Sequence, residues 1–278
     1  MSKINFKIKN VKLAFVLLIV AAFIVLILYN VFVFSGLNKK NAFTNQMLEI
    51  ASENENPIFN VQKISTYSSA NAFNEEDNRS LQNMSISQFS DIAIYLDNSL
   101  SSSDMTTENT ISKLYIDNIN ISTGSDKGTK ILNYKNSLDF GKYKDLTTTD
   151  RIDFKVVRSN EENENNNYDE PTFYTDCSNP ITLGFLNKNI VTDYSVSSDA
   201  NSVSFNGKVL QEAGVSLDDI NYTLSFTIHI VNNVGQKFAY NMKLNVNLDD
   251  ENGGIFNGYT NTTNTTSGDE FKFFRELN

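Results

Sequence analysis

Cysteine, histidine, tryptophan and proline are scarce in this 278-residue chain, and the scarcities exclude whole classes of chemistry. A single cysteine, Cys177, rules out an intramolecular disulfide, so stability must come from a packed core. The one histidine, His229, beside that one thiol leaves no His/Cys metal cluster and admits only an all-oxygen site. No Gly-rich phosphate loop and no G-x-S-x-G nucleophile elbow occurs. The chain also lacks a Leu-Pro-x-Thr-Gly sorting signal followed by a hydrophobic tail, so anchoring is expected to rest on the N-terminal segment. Tryptophan is absent and prolines number three, while Asn, Ser, Thr, Ile and Lys abound. That balance is what an AT-rich genome produces and carries no functional message.

What is present suits a globular chain. Aromatic residues make up 12%, all Phe and Tyr, and mean hydropathy is only slightly negative, which argues against wholesale disorder. Net charge is −10, unevenly placed. Residues 1–36 hold Lys3, Lys7, Lys9 and Lys12 and no acid, leaving 19 bases against 33 acids elsewhere. So acidic a remainder lacks the basic footprint that nucleic acid requires, and no nucleic-acid partner is expected. Its acidity reads as a solvated surface.

The longest hydrophobic run is Leu13 to Phe34, LAFVLLIVAAFIVLILYNVFVF. As a helix it is about 33 Å long, matching a hydrocarbon core of about 30 Å. Asn30 is its one strongly polar member, and Lys12 can snorkel to the headgroups. A cleaved signal peptide has a shorter apolar stretch and ends in small residues, whereas this run ends Val-Phe-Val-Phe-Ser-Gly. Residues 13–34 therefore read as an uncleaved transmembrane helix. Four lysines precede it and Lys39 and Lys40 follow, so the positive-inside rule places the N-terminus in the cytoplasm. The expected organisation is a basic cytoplasmic leader over 1–12, the membrane helix over 13–34, and a stalk over 35–56. A β-rich extracytoplasmic domain over 57–252 and a Gly/Asn/Thr-rich tail over 253–278 complete it. A disulfide-free domain on that side suits a bacterial cell surface.

Apolar positions at 43, 47, 50 and 51 carry helical spacing into the stalk, which should stop before Pro57. Beyond it the period changes to two. Phe59 to Ile64 reads as a strand, and Asn74 to Asn83 as loop. Ile92, Ile94 and Leu96 alternate with Ala93 and Tyr95, as do Leu114 and Ile116 with their polar neighbours. Ile94-Tyr-Leu-Asp-Asn and Leu114-Tyr-Ile-Asp-Asn look like a repeat, though two strands with equal burial needs would match as well. Ile152, Phe154 and Val156 alternate again, before the polar stretch from Glu161 to Glu170. That stretch reads as an exposed loop or as a linker between two lobes divided near 160–170. Its carboxylates and amides, like those of Asp249-Asp-Glu-Asn-Gly-Gly, are oxygen ligands of the type calcium takes, but the spaced pattern of a known calcium loop is missing. Lys208 to Ala213 predicts a short helix stopped by Gly214.

The clearest pattern lies at 222–248. Tyr222, Leu224, Phe226, Ile228 and Ile230 alternate with Thr223, Ser225, Thr227 and His229. After Asn232-Asn-Val-Gly-Gln-Lys, the positions Phe238, Tyr240, Met242, Leu244, Val246 and Leu248 do the same. This predicts an antiparallel hairpin with one buried and one wet face, packed against further strands. The fold class is therefore mainly β, an antiparallel β-sandwich-like domain behind an N-terminal transmembrane helix. From 253 onward a surface tail is expected, with Phe271, Phe273 and Phe274 positioned to dock back.

Two local resemblances bear on function. Asp176-Cys177-Ser178 resembles the Asp-Cys-Ser opening of papain-like cell-wall peptidases, in which a strand histidine follows; His229 stands 52 residues on. The resemblance implies a Cys177 nucleophile and a His229 base. In that family the cysteine begins a helix, where the dipole lowers its pKa. Here Pro180 and Ile181-Thr-Leu-Gly-Phe predict a turn or strand, so an unreactive, half-buried thiol and a solvated histidine are the expectation. A sortase is disfavoured, because its histidine precedes its cysteine. The plan of residues 1–250 resembles type IV pilins and pseudopilins: a basic leader, a hydrophobic helix continued as a stalk, then a β domain. Asn10-Val-Lys-Leu-Ala stands where their glycine cleavage site and Phe-Thr-Leu-Ile-Glu would be, and the hydrophobic run lacks an acid. The expected role is a non-catalytic, single-pass surface protein that binds or assembles, with an envelope protein, a glycan or its own copy as partner.

Overall fold

The computed structural model describes residues 2–55, 57–74, 76, 80–98, 106–136, 143, 146–159, 170–196, 207–249, 254–255, 258–263 and 271–276. The chain divides into two units, Met1–Ser52 and Glu53–Asn278.

The first unit is built on one unbroken helix, α1 (Ser2–Glu55). No proline falls inside it, and Pro57 follows directly, where the preceding residue is pushed out of the α region. From Leu13 to Phe34 its apolar side chains are exposed on every side, Phe32 at 81%. Among the described residues this is the one helix long and apolar enough to cross a membrane. Asn30 donates from Nδ2 to the Leu26 carbonyl at 2.8 Å, satisfying its amide within the helix. Such an intrahelical bond is compatible with a membrane-spanning helix.

The second unit is mainly β. Its elements in chain order are β1 (Asn60–Phe73), β2 (Met84–Asp97), β3 (Ile111–Thr123), β4 (Thr129–Tyr134), β5 (Ile152–Val157), β6 (Thr172–Tyr174) and β7 (Ile181–Tyr194). Two short helices follow, α2 (Gly207–Glu212) and α3 (Leu217–Ile220), then β8 (Tyr222–Asn232), β9 (Lys237–Val246), β10 (Gly258–Thr263) and β11 (Phe274–Arg275). Five strands form one sheet in the order β10-β1-β2-β7-β4, and six form a second in the order β11-β9-β8-β3-β5-β6. All pairings are antiparallel except β5 with β6.

The inner faces of both sheets feed one apolar core. Ile86, Ile92, Ile94, Leu183 and Phe185 come from the five-stranded sheet, and Leu114, Ile116, Leu224, Phe226, Ile228 and Ile230 from the six-stranded one. The β8–β9 hairpin has the expected register, from Tyr222 opposite Val246 to Val231 opposite Lys237. Its turn closes through Asn232, which accepts from the Gln236 amide at 2.8 Å, while Gly235 takes φ +84°. One detail departs from the simple wet face. Thr227 is only 8% exposed, because Asn118 and Asn241 crowd it.

The look-alike segments at 94–98 and 114–118 sit in different sheets, on β2 and β3. Ile94, Leu96, Leu114 and Ile116 are all buried, so a shared burial need accounts for the likeness. β5 and β6, on either side of the polar stretch, are paired neighbours in one sheet, Val156 opposite Phe173. Glu53–Asn278 forms one compact unit, with β5 and β6 joined across the 160–170 stretch. Residues 161–169 lie outside the described residues, as do 250–253.

The surface-tail expectation needs correction. β10 adds to β1, β11 adds to β9, and Phe273 is 1% exposed in the core, against the rings of Phe59 and Tyr240. Edge strands are held by backbone pairing, which needs no apolar alternation, so the pattern at 258–263 gave no strand signal. Phe271 packs partly on the core, whereas Phe274 is 46% exposed.

Phe226 is buried while Lys243, on the opposite face of the same hairpin, is exposed. Phe226→Ala should destabilise the domain by about 3–5 kcal/mol through lost burial and a residual cavity. Lys243→Ala should shift stability by about 0.5 kcal/mol or less. Denaturant melts of the two variants check this; equal effects would place the hairpin outside the core.

Candidate functional site

Cys177 lies in a tight turn just after β6. Its amide donates to the Tyr174 carbonyl at 3.0 Å, and its backbone takes φ +61°, a left-handed conformation uncommon outside glycine and asparagine. The turn is stitched by its neighbours. Asp176 accepts from the Ser178 amide at 3.1 Å, from the Ser178 hydroxyl at 2.6 Å and from Ser159 at 2.6 Å. Burial opposes its charge, but these bonds outweigh it and hold its carboxyl below the usual range. The Cys177 thiol packs against the core, and burial, reinforced by the negative charges of Asp97 and Asp176, pushes it up to about 12. No helix begins at Cys177, so the dipole that a peptidase nucleophile relies on is missing here.

His229 occupies the outer face of β8. Strands β3 and β5 separate β8 from β6, and three strand spacings come to about 14 Å. The structure therefore does not bring the two residues together. The His229 ring instead belongs to a row running across the six-stranded sheet. Tyr115 stands opposite both Asp153 and His229, and His229 stands opposite Ala239. The imidazole stacks on Tyr115 at 4.5 Å, and Arg151 covers that ring's other face at 3.9 Å. Asp153 takes two nitrogens of Arg151, which holds its carboxyl below the ordinary range. His229 Nε2 lies 3.0 Å from Asp117 Oδ1. Its Nδ1 is 3.8 Å from Glu276 Oε2 and has no hydrogen-bond partner.

Sequence reasoning missed two further sets of polar groups. Asp219 on α3, with its side chain 3% exposed, accepts from Lys127 at 2.8 Å, Ser125 at 2.7 Å, and the Ser216 amide and hydroxyl at 2.9 Å each. Burial works against its charge, and these donors together hold it well below the usual carboxylate range. Beneath it, Gln88 and Asn187, paired across β2 and β7, donate to the consecutive carbonyls of Ile220 and Asp219. Gly128, at φ +74°, packs so closely on Asn187 that a Cβ there would collide with its amide oxygen. The spacing Ser216-Leu-Asp-Asp219 is a helix-start signature that the sequence does display.

The second set lies on the outer face of the five-stranded sheet. Lys135, its side chain fully buried, reaches over Gly184 to Asp91 at 2.7 Å. Tyr143 donates to the same carboxylate oxygen at 2.7 Å and offers its ring face to the ammonium at 4.2 Å. Burial, then the adjacent Asp91 charge, raises the Tyr143 phenol far above its ordinary range. Ile131, Leu186, Phe89 and Leu146 surround the group. It fastens the β4–β5 connection to the sheet.

Among the described residues no group of three or more His, Cys, Asp or Glu is gathered to hold a metal ion. Neither a family model, nor a curated protein, nor a solved structure matches the chain.

Two outcomes follow. With its thiol pushed up to about 12, Cys177 holds little thiolate at pH 8, so iodoacetamide should label the native protein far more slowly than the urea-unfolded one. Asp219, depressed when folded, stabilises the domain above the unfolded carboxyl range of about 4, and that contribution disappears as pH falls through the folded value. Asp219→Asn should therefore lower stability at pH 7 and flatten its decline toward acid, measured by denaturant melts across pH.

Proposed function

We propose that this is a single-pass membrane protein whose β domain works by binding or envelope assembly and performs no catalysis. One observation carries the reading: a helix of about 80 Å, of which about 33 Å is apolar on all sides, precedes a β unit in the same chain. A soluble helix does not leave its whole circumference apolar, so lipid is the solvent that fits 13–34. The lysine-rich, acid-free leader supports a cytoplasmic N-terminus and an extracytoplasmic domain. The uncleaved signal-anchor and the bacterial surface setting belong to this same proposal. The remote, unactivated Cys177 and the separately engaged His229 support a binding role over a thiol peptidase.

A pilin-like assembly subunit is the second reading. The observation favouring it is the continuity of α1, which runs without a break from the apolar segment to Glu55. Both readings require the same topology.

Carbonate or high salt should leave the protein in the membrane fraction, since ions do not displace about 20 apolar residues. Protease added to intact cells should remove the β domain and leave a short membrane-embedded fragment. Bulk recovery in the soluble fraction, with an N-terminus near Ser35, would overturn the anchor. A domain protected in intact cells would overturn the orientation.

A further inference from the structure

We propose that His229 is a proton-operated clasp that fastens the C-terminal strand β11 to the six-stranded sheet. The imidazole sits between two carboxylates, one at each ring nitrogen: Asp117 on β3 at 3.0 Å from Nε2, and Glu276, directly after β11, at 3.8 Å from Nδ1. A neutral imidazole carries one proton, and an ionised carboxylate only accepts. The proton therefore goes to Nε2, where Asp117 takes it. Nδ1 is then a buried lone pair with no donor, turned toward the Glu276 carboxylate. Two acceptors face each other at a separation too long for a hydrogen bond. A second proton makes Nδ1 a charged donor. The contact becomes a charge-assisted hydrogen bond once Glu276 moves in by about 1 Å.

The neighbours on each side are compatible with that charge. From β3, Tyr115 presents its ring face to the imidazole, a favourable seat for a cation. Arg151, ahead of β5, lies on the far face of Tyr115 and is paired with Asp153. From β9 the cross-strand neighbour is Ala239, which is uncharged, and the exposed Lys237 stands two residues along on the same outer face. On β8 itself Thr227 and Val231 flank the ring on the same face.

β11 itself is short, and the buried Phe273 ring just before it anchors the segment in the core. β11 makes two residue pairs with β9, Phe274 with Ala239 and Arg275 with Phe238, and the Glu276 amide donates to Lys237 at 2.8 Å. Just before it, the Phe273 amide donates to the Phe59 carbonyl at 3.1 Å, and Lys272 bridges to Asn60. The segment thus runs from β9 in one sheet to the start of β1 in the other. Protonation of the imidazole would tighten this seam by giving Nδ1 a proton to donate to Glu276.

Hydrogen–deuterium exchange on the full-length protein in detergent, at about pH 5.5 and 8 and corrected for intrinsic exchange, tests the clasp. Amides at 273–276 should be several-fold more protected at the lower pH, with β2 and β7 unchanged. Because the chain has one histidine, its imidazole NMR signal reports titration without ambiguity, and the protection change should track it. Glu276→Gln should erase the difference. Equal protection at both pH values in the unaltered protein, or a difference that persists in Glu276→Gln, would overturn the proposal.

Discussion

The second unit depends on closing two sheets over one core without a disulfide to staple them. Apolar pressure alone is non-directional, so the two ends of the sandwich need specific closures. At one end, along the Ile230 end of β8, the rings of Phe59, Phe238, Phe273 and Tyr240 interlock, Phe59 against Phe238 at 5.1 Å. At the other, along the Tyr222 end, Tyr222 stacks on Phe185 at 3.9 Å, and the α3 knot around Asp219 is tied to Gln88 and Asn187. The first closure uses residues from both ends of the domain sequence, Phe59 and Phe273. The second draws on the β3–β4 connection, the turn before β8 and the paired strands β2 and β7.

How much of this was legible follows from which force sets each element. Pleat parity fixes which way every second side chain points, so strands with one buried face announce themselves. The runs at 92–96, 114–116, 152–156, 222–230 and 238–246 are all of that kind, and each lies in a strand. From Leu13 onward helix α1 was equally plain, from its apolar run and the helical spacing that follows, whereas the helical form of the leader from Ser2 was not read. β10 was not legible: Gly-Tyr-Thr-Asn-Thr-Thr has nothing that alternates, and backbone pairing to β1 is its visible tie. The turn around Cys177 was legible from Pro180 and the alternation that follows it. The Lys135–Asp91 pair was not, since its members are 44 positions apart in sequence and β7 lies between β2 and β4 in the sheet. Only Ser216-x-x-Asp219 carried a local signature of a buried polar knot.

Buried charges need a further argument, because desolvation often exceeds the gain from pairing. Lys135 and Asp91 would be replaceable by apolar residues of similar size if stability were the whole requirement. What an ion pair adds is position. Lys135 reaches Asp91 only across Gly184, and Tyr143 reaches the same oxygen only if the β4–β5 connection crosses at that point. An apolar patch made of Ile131, Leu186 and Phe89 alone would accept that connection in several positions.

The same reasoning extends to the outer face of the six-stranded sheet. A slip of one residue between β8 and β9 would exchange the buried and exposed faces, but a slip of two would keep apolar residues inside. Apolar pattern therefore does not exclude the two-residue slip. The polar partners do. Thr223 bonds Asn245 at 2.9 Å and Thr227 bonds Asn241 at 3.0 Å, while Asn232 closes the turn on Gln236 at 2.7 Å. Shifted by two, the threonines would face Lys243 and Ala239, and the turn would lose its Asn232–Gln236 contact. On β3, the bulge between Asp117 and Asn120, with Asn118 at φ +55°, fixes where that strand can pair with β8. Hydrophobic alternation chooses the face, and this outer polar ladder, together with the bulge, chooses the register.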